Sequence, residues 1–331
     1  MGGKITEIDT VSLDEANKAL VIIDQTKLPG QIQMLSLTKA KEIWESLEEI
    51  LTKDGVSYRV HITEYVGHAT KIAEDLTADD AYHFLVVAGG DGTINEVLNG
   101  IRDLSKVSFG YLPLGSANDF ARGLHITAEP EVILRQILAS ETEDAYDLGQ
   151  VCCGGQTRRF AISAGAGIDA AVCREALTSR LKVFLNRFHL GKLTYGLLTV
   201  AELFRAPFVS GKVELTDGRE FHMKNIIFTA AMNFPCEGGG VPMAPSADAH
   251  DGKLSACLVY GIPRFLCLCA FPFLIAGKHE NIRGFEIVEA EELHVVFDKP
   301  MVVHADGEDC GDQTDVTFRC LPGALHMPHL D

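Results

Sequence analysis

The chain has 331 residues, enough for two domains with cores of their own, and its 47% hydrophobic and 23% charged content is that of a globular protein. Its formal charge of −17 repels phosphate backbones, which argues against a nucleic-acid binder and against tight docking on anionic lipid by charge alone, while leaving room for a local basic patch to act. Nine cysteines, an odd number without a CxxC pair, read as free thiols in a reducing compartment.

The opening MGGKITEIDTVSLDEA has no cationic start before an apolar core, so no secretory signal is expected. The longest apolar run, 265–277, is about 13 residues, short of the roughly 20 that a spanning helix needs. A soluble, cytoplasmic chain is the expectation. Residues 18–45 read as a strand, a Pro29-Gly30 turn, a second strand and a helix begun by Thr38. Ile43, Leu47, Ile50 and Leu51 predict a helix over 40–51, stopped by Asp54-Gly55. Residues 57–63 alternate as a strand, and Gly67-His68-Ala69 opens a helix toward Glu74. His68 reads as a helix-start residue rather than a general base.

Two strand–turn–helix units follow. Strand Phe84–Ala88 runs into Gly89-Gly90-Asp91-Gly92-Thr93, and Ile94, Val97, Leu98 and Ile101 then repeat with helical spacing. Strand Phe109–Leu112 runs through Pro113-Leu114-Gly115-Ser116 into a helix starting near Asn118-Asp119. Side by side, two such turns make a phosphate cradle, because helix N-termini favour anions. Their glycines let backbone approach a phosphate, and Thr93 and Ser116 offer hydroxyls. A carboxylate facing phosphate needs a cation between them, so Asp91 and Asp119 read as Mg²⁺ partners. Tight turns capped by Asp would explain either unit alone, though less well the pair. Neither turn is a Walker P-loop or a dinucleotide GxGxxG.

A helix over 129–140 places Val132, Ile133 and Ile137 on one face. Beyond it the pattern turns to β, with strands expected at 147–153, 158–164, 210–215, 220–233, 253–260, 286–298, 301–304 and 314–320. Gly165-x-Gly167 before Ala170 reads as a close-packed turn, since no acid follows at dinucleotide-binding spacing. The segment 174–205 reads as helical and basic (Arg174, Arg180, Lys182, Arg187, Lys192 and Arg205) with Leu181, Phe184, Leu185 and Phe188 interleaved. It is the candidate for touching a membrane, against the plain alternative of a solvated face. Asp251-Gly252 is by itself an ordinary turn with His250 incidental, and Asp306-Gly307-Glu308 by itself a hairpin turn.

GGDGTINE (89–96) followed one unit later by GSANDFAR (115–122) resembles the signature pair of the diacylglycerol kinase catalytic-domain family, the soluble bacterial lipid kinases. Ser116 stands where that family usually has Thr, and the likeness runs from about residue 44 to the C-terminus. It implies an α/β fold: an NAD-kinase/diacylglycerol-kinase-like nucleotide-binding domain over 1–145, then a β-sandwich-like lipid-substrate domain over 146–310, with the C-terminal strand of 311–331 returning to the first domain. It implies ATP held by Thr63, Gly89, Gly90, Asp91, Gly92, Thr93, Ile94, Asn95, Glu96, Ser116 and Asn118. It further implies a structural Mg²⁺ on the Asp251 carboxylate and main-chain oxygens of Asp248 and Lys253. Glu308 becomes the catalytic base and Asp306 its support, with Asp91 and Asp119 near the Mg²⁺ of the reaction. The implied reaction moves the γ-phosphate of ATP to a lipid hydroxyl, diacylglycerol giving phosphatidate by default. The implied partner is a membrane lipid met transiently at the membrane surface, with a homodimer allowed. The family's N-terminal NPxSG loop is missing, and residues 11–45 instead resemble the N-terminus of methylthioribose-1-phosphate isomerase. The alternatives are an NAD-kinase-like small-molecule kinase and a crippled chimera that folds without that loop.

Overall fold

The computed structural model describes residues 19–23, 43–79, 81–178 and 191–330. The Pro29-Gly30 turn, the second early strand and Leu181, Phe184, Leu185 and Phe188 lie outside the described residues. The chain forms two compact units. The first comprises residues 1–116, 127–145 and 325–331, and the second 117–126 and 146–324. This departs from the expected division at two places. Residues 117–126 group with the second unit, and the return to the first begins at Leu325 rather than at 311.

The first unit is built on parallel strands in the order β2 (Tyr58–Ile62), β1 (Ala19–Ile23), β3 (His83–Gly89), β4 (Val107–Pro113) and the end of β16 (Glu308–Pro328). β1 lies between β2 and β3, with Leu20 opposite both Arg59 and Leu85, so the unusual N-terminal text fills a central strand position. Leu85–Gly89 and Val107–Leu112 are continuously buried, the mark of parallel strands covered on both faces. The cover comes from α1 (43–53), α2 (His68–Leu76), α3 (Asp91–Gly100) and α5 (Pro130–Ala139). In α3 the expected stripe of Ile94, Val97, Leu98 and Ile101 is buried, and a Cβ on Gly100 would overlap the Thr70 carbonyl of α2. In α5 the inward face is Pro130, Ile133, Leu134 and Ile137, while Val132 is 48% exposed. Sequence spacing had put Val132 on the buried face, but it stands one residue outside the i, i+3, i+4, i+7 stripe that starts at Pro130.

In the second unit β14 (Phe285–Ala290), β13 (Leu254–Tyr260), β10 (Ile226–Met232), β7 (Ser163–Gly167) and β15 (Glu292–Ala305) lie in that order, all antiparallel. Period-two alternation sorts their side chains between two cores. Leu254, Ala256 and Leu258 of β13 join Val151, Phe160, Val213, Met223, Val316 and Phe318 from other strands, the second layer of the sandwich. Cys257 and Val259 point the opposite way, to Ile168 and Val172 of α6 (Ile168–Thr178) and to helices Gly191–Arg205 and Arg264–Ile275. Each large side chain so enclosed contributes about 1.5–3 kcal/mol of transfer free energy. The single strand expected at 220–233 is two, β9 (Glu220–Met223) and β10, because Asn225 between them is left-handed at φ 52°. The strand expected at 314–320 extends over 308–328, and β15 runs through Lys299-Pro300.

Candidate active site

In the first unit the glycine turns stand where the family motifs put them, at the carboxyl ends of adjacent parallel strands. Gly89 and Pro113 are register partners, and the Leu114 N–H donates to the Gly89 carbonyl at 2.9 Å. α3 starts within GGDGT, its first closing bonds running from Thr93 and Ile94 N–H to the Gly90 carbonyl. A Cβ on Gly90 would lie 3.2 Å from the Gly115 Cα, and one on Gly89 would meet the Thr93 side chain at 2.7 Å. The two turns approach this closely because Gly90 carries no side chain, while Gly89 makes room for Thr93 of its own turn. Thr93, Asn95 and Glu96 are buried behind the turn, with the Glu96 carbonyl accepting from Thr70 Oγ1 at 2.9 Å. Asp91 stands in the first turn of α3, where a carboxylate favours the helix end and is half-exposed for a cation. Buried Thr63 follows β2. His68 Nδ1 accepts the Glu64 N–H at 3.0 Å and its ring stacks on Tyr65, a turn-forming task.

After Ser116 the chain enters the second unit, where Asn118 is left-handed (φ 50°) and caps the short α4 (Asp119–Gly123). Asp119 is buried. One of its oxygens pairs with Arg122, and the other accepts the Gly239 N–H at 2.7 Å. Its carboxylate thus fastens α4 to the glycine loop 238–240, and a metal sharing it would compete with the Arg122 guanidinium.

The DGE segment is a two-residue hairpin between β15 and β16. Ala305 pairs with Glu308, and Asp306 and Gly307 both have positive φ (49° and 83°), the type I′ pattern that Asp-Gly favours. The Asp306 carboxylate accepts three backbone N–H groups, from Ala161 and Ile162 at 2.8 Å and from Ser163 at 3.1 Å. Asp306 thereby clamps the hairpin to the residues leading into β7. Glu308 follows at the start of β16 and is half-buried.

Beside this hairpin is a buried polar group that motif reading missed. His304 Nδ1 accepts the Gly307 N–H at 3.1 Å, which leaves the proton of the neutral ring on Nε2, 3.3 Å from Asp169 Oδ2. Ser163 Oγ donates to Glu237. Asp169 Oδ1 is buried with no hydrogen-bond partner among the described residues. The only signals in the sequence were position, His304 two residues before DGE and Asp169 two after Gly167. Burial, reinforced by Asp169 and Asp119, pushes the Glu237 carboxyl up to about 7 against the opposing pull of His304 and Ser163. The charges of Asp169, Glu237 and Asp306 raise His304 despite the burial that would lower it.

A pH dependence follows. The folded chain keeps a proton on Glu237 that the unfolded chain releases between pH 4.5 and about 7, so stability falls as pH rises through that window. His304, raised above 6.5, adds a loss of the same sign as pH passes its folded value. Glu237→Gln keeps an acceptor for Ser163 and removes the titration. Thermal melts from pH 5 to 8 should show a decline in the parent, worth on the order of 2 kcal/mol, that is flatter in the variant. Parallel curves would refute the assignment.

The loop 248–253 is held from behind by buried Asp147, whose oxygens accept the Gly252 and Gly323 N–H groups, each at 2.7 Å. Asp251 Oδ1 accepts the Lys253 N–H at 2.9 Å, and Asp248 Oδ1 accepts the His250 N–H at 3.1 Å. No group of three or more His, Cys, Asp or Glu among the described residues could hold a metal ion. The expected donors are one carboxylate and two main-chain carbonyls on an exposed loop, an oxygen-only set that suits Mg²⁺ completed by water. Asp91 fits a cation equally. Arg174, expected on a basic face, is instead spent on Asp309 and Asp312 at 2.6–2.8 Å.

Residues 36–151 match the diacylglycerol kinase catalytic domain, and residues 162–329 match the YegS C-terminal NAD kinase beta sandwich-like domain. The protein named lipid kinase YtlR of Bacillus subtilis (strain 168) is 29% identical over 279 residues, 81% of this chain and 88% of that one. The diacylglycerol kinase of the same strain is 27% identical over 276 residues, 82% of this chain and 87% of that one. The crystal structure of a diacylglycerol kinase from Bacillus anthracis str. Sterne shares the fold, with a TM-score of 0.66 at 19% identity over 96% of this chain and 98% of that one.

Proposed function

The chain belongs to the diacylglycerol kinase catalytic-domain family of lipid kinases, and from that premise we propose that it transfers the γ-phosphate of ATP to the hydroxyl of a membrane lipid, diacylglycerol giving phosphatidate. The observation that supports this best is the pair of touching glycine turns at the ends of β3 and β4, with Asp91 in the helix start. Backbone at 89–93 and the side chains of Thr63, Thr93, Ser116 and Asn118 take the nucleotide. Asp91 would hold Mg²⁺, whose charge would offset that of the phosphates, with Asp119 sharing it in competition with Arg122, and the Asp251 carboxylate with main-chain oxygens at Asp248 and Lys253 would hold a second, structural Mg²⁺. Glu308 accepts the proton of the attacking lipid hydroxyl as it bonds to phosphorus and ADP leaves. Asp306 keeps Glu308 in register. Positioning and electrostatics carry most of such a transfer, so a family member can keep the reaction while varying its lipid pocket.

The test follows label from γ-³²P-ATP with Mg²⁺ into mixed micelles of detergent and diacylglycerol. Labelled phosphatidate is the expected product. Label in another lipid alcohol would move the substrate and keep the chemistry. Label in NAD alone would replace the reading with that of a small-molecule kinase, and no transfer at all would favour the crippled chimera.

A further inference from the structure

The large exposed apolar side chains of the second unit are concentrated rather than scattered. Helix Arg264–Ile275 reads RFLCLCAFPFLI, apolar at every one of its 12 residues except Arg264. Its inner side is spent on the core, where Ala270 and Leu274 are buried and Cys267, Leu268 and Phe271 pack against the same cluster. The other side carries Phe265, Leu266, Cys269, Pro272 and Phe273, all exposed and at helical spacing, with Phe265 67% accessible. A surface helix of a globular protein has polar residues on that side, and a helix apolar all round faces a core or a lipid phase. The patch does not end with the helix. The Arg264 guanidinium donates to the Phe204 carbonyl at 2.9 Å and to the Ala206 carbonyl, and stacks 4.2 Å over the Phe208 ring. It thereby holds the turn 204–208 beside the helix start and adds two exposed rings, Phe204 and Phe208.

The two segments that form the patch carry charge of one sign only, although Glu202, Glu280 and Asp298 adjoin them. Segments 203–211 and 261–279 contain no Asp or Glu, in a chain whose net charge is −17. They carry Arg205, Arg264 and Lys278, and Lys299 reaches in from β15 to the Phe208 carbonyl at 3.1 Å. Arg205 is partly offset by Glu202 at 3.0 Å. Two occupants could cover such a face, a second copy of the chain or a bilayer. A two-fold pairing of the face with itself would set this cationic rim against its own image, an unfavourable arrangement. Lipid phosphates would neutralise it. The helix is about 18 Å long, too short to cross a hydrocarbon core of about 30 Å, so it would lie in the interface plane.

We infer that the face formed by Phe204, Phe208, Phe265, Leu266 and Phe273 is a membrane-docking surface, seated at the headgroup boundary of an anionic bilayer. The inference rests on the lipid-kinase reading only for the reason such a surface is needed. It moves the expected contact from the start of the basic segment 174–205, whose Arg174 is internally paired, to the end of that segment and the apolar helix beside it. The net negative charge of the chain would favour docking by this cationic face.

The experiment is sedimentation with sucrose-loaded phosphatidylcholine–phosphatidylglycerol vesicles, without ATP, comparing the parent, Phe265→Glu/Phe273→Glu and the control Val132→Glu in the other unit. Circular dichroism and thermal melting establish that each variant folds, which the exposure of all three positions favours. The expected result is at least a tenfold loss of vesicle binding for the double variant, none for the control, and weaker parental binding on vesicles of phosphatidylcholine alone. Equal sedimentation of parent and double variant would overturn the proposal. So would a parent that light scattering shows to be a dimer and the double variant a monomer, with no vesicle binding by either. Because binding is read without catalysis, vesicle binding with no lipid phosphorylated would refute the kinase reading and leave the surface standing.

Discussion

Glu308→Gln is expected to lower phosphoryl transfer by about 10³-fold while leaving the thermal midpoint within a few degrees of the parent. General-base assistance is worth roughly 10²–10⁴ in rate, and Gln keeps the size and an acceptor oxygen while losing the basic one. The side chain opens β16 opposite Ala305, and strand pairing there uses backbone groups that the substitution does not touch. On the proposed reading the nucleotide is held by the turns at 89–93 and 113–116 and not by Glu308, so the KM for ATP should hold within about threefold while kcat falls, the pattern of an interaction made in the transition state. Residual turnover is expected, because positioning and phosphate electrostatics survive. Initial rates at saturating ATP, with melting curves on the same preparations, decide the matter. A rate within fivefold of the parent would remove Glu308 from the proton transfer.

The sequence showed the glycine-turn end of the fold clearly and the surroundings of the Asp306 hairpin poorly, for a physical reason. GGDGT and GSANDFAR are local devices: each turn is set by glycines and helix-start residues within a few positions, and β3, α3 and β4 follow from uninterrupted apolar runs and one helical stripe. The cluster of Ser163, Asp169, Glu237 and His304 is assembled from three distant segments: the continuous β7–α6 stretch, β11 (Cys236–Glu237) and β15. No periodicity or spacing reports such a meeting. Asp147 escaped notice similarly, since its partners Gly252 and Gly323 lie more than a hundred residues away. The left-handed Asn225 split an apparently continuous strand because its neighbours, Lys224 and Ile226, keep the alternation unbroken by any Gly or Pro. The run 265–277 reads in the sequence only as too short for a membrane span, and composition gives no sign that just one side of its helix is enclosed.

Asp306 and Glu308 stand two residues apart, and substitutions separate their roles. Asp306→Ala strips the acceptor from the N–H groups of Ala161, Ile162 and Ser163, residues whose surroundings are buried, and places Ala at φ 49°. Each unsatisfied buried donor costs about 1–3 kcal/mol and the left-handed backbone about 1 more, so a loss of at least about 4 kcal/mol is expected in urea denaturation. That much can unfold a chain of ordinary stability, and Asp306→Asn therefore carries the discriminating measurement. Asn tolerates positive φ, and its one oxygen can still receive Ile162 and Ser163, while its amide faces the Ala161 N–H donor to donor. A loss of about 1–2 kcal/mol is expected, with transfer reduced about tenfold and the pH–rate profile unshifted, because Glu308 keeps the proton-accepting task in a slightly displaced hairpin. If Asp306→Asn instead matched Glu308→Gln in rate at unchanged stability, the three backbone bonds would be incidental and Asp306 itself would be the proton acceptor.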